Sequence, residues 1–203
     1  MNSLVLTPEN LAQVVEVAVA TLQKPGAVIL IPTETVYGLA CRWNDITACE
    51  RIYRMKMRDE RKPLAMFATD SEALLNAGVI LTGIPKLLAN RFCPGPITII
   101  APNRDGSTTG FRIPNYPLVQ ALLAALEFPL ATTSANLSGR PNALSPAEAL
   151  TELTEQPDLI IDAGTIAQDA QPSTVVDATG PKPTILREGP ISREMLENAL
   201  ANT

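Results

Sequence analysis

Not one histidine occurs among the 203 residues. That absence excludes Ser-His and Cys-His catalytic pairs, His-ligated zinc and imidazole acid–base chemistry, so any catalysis must use other groups. Cysteine is nearly as scarce. Cys41, Cys49 and Cys93 have neither metal-ligand spacing nor the even count of a disulfide framework, and they are expected to be ordinary buried thiols. The usual phosphate loops are missing too: no "GK[ST]" occurs, and no GxGxxG follows a strand pattern. No basic and then apolar leader opens the chain, and the apolar run "AVILI" at 27–31 falls far short of a bilayer span. These absences predict a soluble, cytoplasmic protein without membrane association.

What is present is enough apolar material, 46% of residues, to bury one substantial core, and one domain over residues 1–203 is the expectation. The formal charge is −5, yet it is unevenly spread. From Glu50 to Lys62 the cations Arg51, Arg54, Lys56, Arg58, Arg61 and Lys62 outnumber Glu50, Asp59 and Glu60 by three. A nucleic-acid binder usually carries a wide basic stripe and a high pI, whereas this pI is about 4.8. A small anion held locally fits better.

Helical and strand patterns alternate along the chain. Thr7 and Pro8 open an amphipathic helix through Leu22, stopped by "KPG" at 24–26. "AVILIP" reads as a strand buried on both faces that runs into "TETVYGLA". Asp45 caps a helix through "ITACERIYRMKM", and "PLAMFA" is the next strand, so the cations sit on the loop between them. Helical "SEALLN" and "PKLLANRF", strand "ITIIA", a short strand near "FRI", helix "PLVQALLAALE" and strand "PLATT" follow. Ser145 and Pro146 begin another helix, then come strands "DLIID", "TVVDA" and "TILRE" and a last helix from Ser192. The pattern predicts an α/β fold with a twisted, mixed sheet flanked by helices; it leaves the strand order open.

Several stretches carry chemistry. "PTETVYGL" at 32–39 ends a buried strand in hydroxyls where open α/β sheets place ligands, with Thr33 and Thr35 on one side. Arg58 to Pro63 turn tightly before a strand and present cations suited to phosphate or carboxylate. "TTSANLSG" at 132–139 supplies the small donors an anion nest needs, while "FCPGPIT" fixes a turn between two prolines. "PSTVVD" and "LREGPIS" set Ser173 and Arg187 at strand ends. Taken singly, each stretch also fits a purely structural role, as a hydroxyl cap, a solvated helix end or a turn.

In this order, from about residue 10 to 195, the stretches resemble the YrdC-like family, which carries PTET-YGL, a Lys/Arg loop, PGP-T, R-x-P, S-A-N-x-S-G, S-T-V-V-D and R-x-G. The resemblance implies a single YrdC-like domain with a concave ligand cavity, of the short single-domain type. It implies L-threonylcarbamoyladenylate synthesis from L-threonine, bicarbonate and ATP, with Mg²⁺ on the triphosphate and pyrophosphate released. It further implies that Lys56 and Arg58 act in catalysis, and that Arg58, Lys62, Thr108, Ser134, Asn142 and Arg187 hold ATP. Thr35, Arg112, Thr132 and Ser173 would surround threonine, with no protein-held metal. Separate tRNA threonylcarbamoyl-transferase proteins would use the product, and direct tRNA contact would be weak.

The chain departs from the family pattern at Phe67, where many members carry histidine, at Cys93 in place of a common tryptophan, and in a shortened stretch between Thr98 and Arg112. Two other readings remain open at this point: an RNA-binding or ribosome-maturation module, and a divergent paralogue without synthase activity.

Overall fold

The structure, a computed structural model, describes residues 2–201. The chain runs β1 (Asn2–Val5), a 3-10 turn (Pro8–Asn10), α1 (Leu11–Leu22), β2 (Ile29–Ile31), β3 (Gly38–Arg42) and α2 (Ile46–Met55). There follow β4 (Ala65–Phe67), α3 (Ser71–Asn76), α4 (Gly83–Phe92), β5 (Ile97–Pro102), β6 (Thr108–Arg112), α5 (Pro117–Ala125) and β7 (Leu130–Ser134). Last come α6 (Pro146–Glu152), β8 (Leu159–Asp162), β9 (Thr174–Asp177), β10 (Thr184–Arg187) and α7 (Arg193–Ala201).

Local chemistry sets several boundaries. The Asp45 carboxylate accepts from the Ala48 N–H at 2.9 Å, and the Ser145 hydroxyl accepts from the Glu148 N–H at 3.2 Å, so α2 and α6 begin at the caps the sequence marks. Thr7 and Pro8 form the 3-10 turn, and the α-helix itself starts three residues later, at Leu11. Two strands were not legible: β1, whose residues are mostly exposed, and β3, which continues the strand-end stretch after Tyr37.

All ten strands of the described residues form one mixed sheet in the order β1-β8-β2-β3-β7-β4-β6-β5-β9-β10. β1 and β2 flank β8 in parallel, while β4–β6 and β5–β9 are the other parallel pairs. Every other neighbouring pair is antiparallel. Alternate residues point to opposite sides, and β2 accordingly sends Ile29 and Ile31 against α1 and α5 but Leu30 against α2 and α6. Each such side chain, fully buried, contributes roughly 1.5–3 kcal/mol.

The register shows which face stays open. Met66 pairs with Ala131 and with Phe111, so α2, α6, α3, α4 and α7 cover one side of the sheet from β8 to β9. Ala40 pairs with Thr132, which pairs with Ala65, and this row lies on the side of α1 and α5. The apolar cluster under those two helices takes in β8, β2, β3 and β7 and reaches β4 only at Phe67. Over β4, β6, β5 and β9 the same side holds a cavity whose lining includes no residue of a described helix. No helix among the described residues is long and apolar enough to cross a membrane.

Candidate active site

The cavity, of about 460 Å³, is floored by residues two apart on adjacent strands: Ala65 and Phe67, Thr98 and Ile100, Thr108, Gly110 and Arg112, Thr132 and Ser134. Period-two alternation places them all on the open face. The stretch after β2 forms one wall. The Thr33 hydroxyl donates to the Val36 carbonyl at 2.6 Å, so the 2.9 Å contact between the Thr33 and Thr35 hydroxyls is donated by Thr35. Arg112 Nη1 donates to Thr35 Oγ1 at 3.0 Å, and Arg112 Nε to the Gly95 carbonyl at 3.2 Å. Its guanidinium carbon lies 5.4 Å from the centre of the Phe67 ring. The Arg112 side chain is 4% exposed, and its Nη2 lies 2.7 Å from Glu34 Oε1 as an ion pair without hydrogen-bond alignment. A planar fork held on two sides with donor capacity left over suits a carboxylate.

The cationic loop forms the opposite wall. Helix α2 ends in a Schellman turn, with Met57 at φ 47° and the Arg58 N–H donating to the Tyr53 carbonyl at 2.9 Å. This reversal aims Arg58 back over the sheet. Its guanidinium donates only to the backbone carbonyls of Lys62 and Pro63, at 3.0 and 3.2 Å. Lys56 goes elsewhere. It is 1% exposed, does not line the cavity, and its ammonium donates to the Ser134 and Asn136 carbonyls. The Ser138 N–H closes the clamp by donating to the Lys56 carbonyl at 3.1 Å. Burial first, and then repulsion from Arg58, push the lysine pKa down to about 7, against attraction from Glu152.

Arg187 completes the rim. Its Nε donates to the Ser173 carbonyl at 3.0 Å and its Nη2 to Ser173 Oγ at 3.3 Å, while that hydroxyl lies 2.8 Å from Thr98 Oγ1. Partial desolvation, and then the charges of Arg112 and Arg58, lower the Arg187 pKa, the mark of guanidiniums gathered without enough counter-charge. Gly189 makes this packing possible, because a Cβ there would overlap the Pro172 carbonyl oxygen and lie 2.8 Å from the Thr174 nitrogen.

Thr35, Arg58, Lys62, Thr108, Arg112, Thr132, Ser134, Ser173 and Arg187 therefore share one cavity. Asn142, like Lys56, is not in its lining. The lining adds Thr98, Gly110, Phe67 and Arg61, which the sequence reading did not single out as binding residues; the alternation in "ITII" was the one signal for Thr98. Among the described residues, five cations and no carboxylate line the space. The described residues hold no cluster of three or more metal-ligating side chains. A second depression, of about 1040 Å³ between α4 and α7, presents Lys86 and Arg91 but no converging hydroxyls, and we place the site in the first. Of the cysteines only Cys41 is buried; Cys49, 3.7 Å from it, and Cys93 are partly exposed.

A mixed sheet with half of one face uncovered, carrying hydroxyls, a buried arginine fork and guanidiniums without carboxylate partners among the described residues, defines an α/β domain suited to small anions. The Sua5/YciO/YrdC family model, described as telomere recombination, matches residues 21–189, and the chain belongs to that family. It is 37% identical over 187 residues to human threonylcarbamoyl-AMP synthase, covering 85% of this chain and 66% of that protein. It is 32% identical over 189 residues to threonylcarbamoyl-AMP synthase of Pyrococcus abyssi (strain GE5 / Orsay), covering 87% of this chain but 54% of that one. The crystal structure of P. abyssi Sua5 complexed with L-threonine superposes with a TM-score of 0.86 at 28% identity, over 98% of this chain and 60% of that chain. The chain thus spans between half and two thirds of the length of these relatives.

Proposed function

We propose that this chain, acting as one YrdC-like domain over residues 1–203, is an L-threonylcarbamoyladenylate synthase. L-threonine and bicarbonate combine to an N-carboxylated amino acid, whose carbamate oxygen attacks the α-phosphorus of ATP and expels pyrophosphate. The observation that carries this reading is the single cavity in which a buried arginine fork faces two guanidiniums that have no carboxylate partner.

Arg112 and Thr35 receive the threonine carboxylate, with Thr132 and Ser173 around the rest of the amino acid. Arg58, Lys62 and Arg187 screen the phosphate oxygens as charge shifts toward the departing pyrophosphate, and Thr108 and Ser134 contribute hydroxyls. Lys56 acts one step removed, by fixing the backbone on which Ser134 stands. The reaction needs no histidine, because the work consists of positioning, desolvation and charge screening. Mg²⁺ enters as part of the ATP substrate. The adenylate then passes to separate proteins that transfer the threonylcarbamoyl group to tRNA in the cytoplasm.

Pyrophosphate release, measured with threonine and bicarbonate each omitted in turn, tests this. Release that requires both supports the synthase. Absence of turnover together with salt-dependent tRNA binding would favour an RNA-binding module instead.

A further inference from the structure

Among the described residues, four arginines line the cavity; Arg61 pairs with Asp59 within its own loop, and the other three are not electrically alike. Arg58 and Arg187 donate only to backbone carbonyls and to the Ser173 hydroxyl, so their charge is uncompensated. Of these three, Arg112 alone has a carboxylate partner among the described residues: its Nη2 lies 2.7 Å from Glu34 Oε1. Glu34 is itself pinned, since the same oxygen accepts from the Asn115 N–H at 2.7 Å. It stands behind the arginine rather than in the lining, and its Oε2 is buried without a hydrogen-bond partner. A carboxylate left with an unspent lone pair against a buried guanidinium does more than a neutral acceptor at that place could.

We infer that Glu34 is a positioning and specificity-determining residue that sorts the cavity into two subsites: a neutralised one at Arg112 that admits a zwitterionic amino acid, and a cationic one between Arg58 and Arg187 that takes phosphate. The inference rests on the proposed function. One small cavity must accept an amino acid and a triphosphate without exchange, and a multiply charged phosphate goes wherever net positive charge is greatest. With the Glu34 carboxylate beside it, Arg112 keeps its fork geometry for a carboxylate but adds less net charge to the cavity than an unpaired guanidinium would. Without Glu34, Arg112 becomes a third unpaired guanidinium, and phosphate competes for the amino-acid end.

The test uses the full chain, calorimetric titration with L-threonine and with inorganic phosphate, and the variants Glu34→Gln and Glu34→Asp. Glutamine retains an acceptor for the Asn115 N–H but removes the charge; aspartate retains the charge on a shorter stem. In the wild type, phosphate should leave threonine affinity unchanged. In Glu34→Gln, phosphate affinity should rise on the order of tenfold and phosphate should displace threonine competitively, whereas Glu34→Asp should still exclude it. A merely structural role would weaken threonine binding without creating phosphate competition. Competitive displacement already in the wild type, unchanged phosphate affinity in Glu34→Gln, or phosphate entry in Glu34→Asp would each overturn the inference. The wild-type measurement decides even if Glu34→Gln does not fold. A wild type that binds no threonine counts against the proposed function, while the phosphate titrations still judge Glu34.

Discussion

Arg58→Ala separates function from stability more cleanly than any other change in this cavity. The side chain makes two hydrogen bonds to backbone carbonyls at the surface of a loop, and no ion pair. Their loss costs about 1 kcal/mol, partly offset because Arg58 repels both Lys56 and Arg187. For a chain of this size that shifts the melting temperature by roughly 2–4 °C. In the proposed reaction, in contrast, the guanidinium is one of two arginines without a carboxylate partner among the described residues that would screen the α-phosphate and the departing pyrophosphate. Removing one preorganised charged donor costs about 10²–10³ in rate. Threonine-dependent pyrophosphate release should therefore fall by that factor while cooperative thermal unfolding stays within a few degrees. Lysine at this position should recover part of the loss, because it restores charge without the fork. An Arg58→Ala protein that keeps most of its activity, or loses it only by unfolding, would refute the reasoning.

Gly189→Ala should reduce turnover at least tenfold with Arg187 itself intact, because the Cβ displaces the segment that carries Ser173; activity assays beside the wild type check this. Lys56→Met gives a pH test. The folded lysine titrates near 7 and the unfolded one near the ordinary lysine value of 10.5, so between those limits the unfolded chain binds more protons, and the wild type should gain stability relative to Lys56→Met as pH rises. Denaturant melts at pH 7 and pH 10 decide it, and a flat or falling difference contradicts the burial argument. Met57→Gly should stabilise the fold by up to about 1 kcal/mol, since glycine accepts the φ of 47° that methionine holds under strain; a lower denaturation midpoint would contradict it.

Much of this architecture was legible because its signals are local. Asp45 and Ser145 sit where their caps are needed, and "AVILIP" is apolar on both faces because helices cover both sides of β2. The mixed character of the sheet followed from short connections among the last strands. What was not legible depends on pairings between distant segments. β1 is a mostly exposed edge strand whose partner β8 lies at the far end of the chain. Lys56 reads as one more cation in a basic cluster, and only the Ser134 and Asn136 carbonyls, delivered from β7, take it inside. Glu34 lies within the conspicuous "PTET", but its meaning comes from Arg112 on β6. The open half-face, which makes the site, is a property of where α1 and α5 stop, and no residue spacing records it.

The central claim is that threonine and ATP meet over that open half-face. A crystal structure of this chain with L-threonine and a non-hydrolysable ATP analogue tests it directly. The account predicts the threonine carboxylate on Arg112 and the phosphates between Arg58 and Arg187, in one continuous cavity. An analogue bound between α4 and α7, or a threonine away from Arg112, would contradict it.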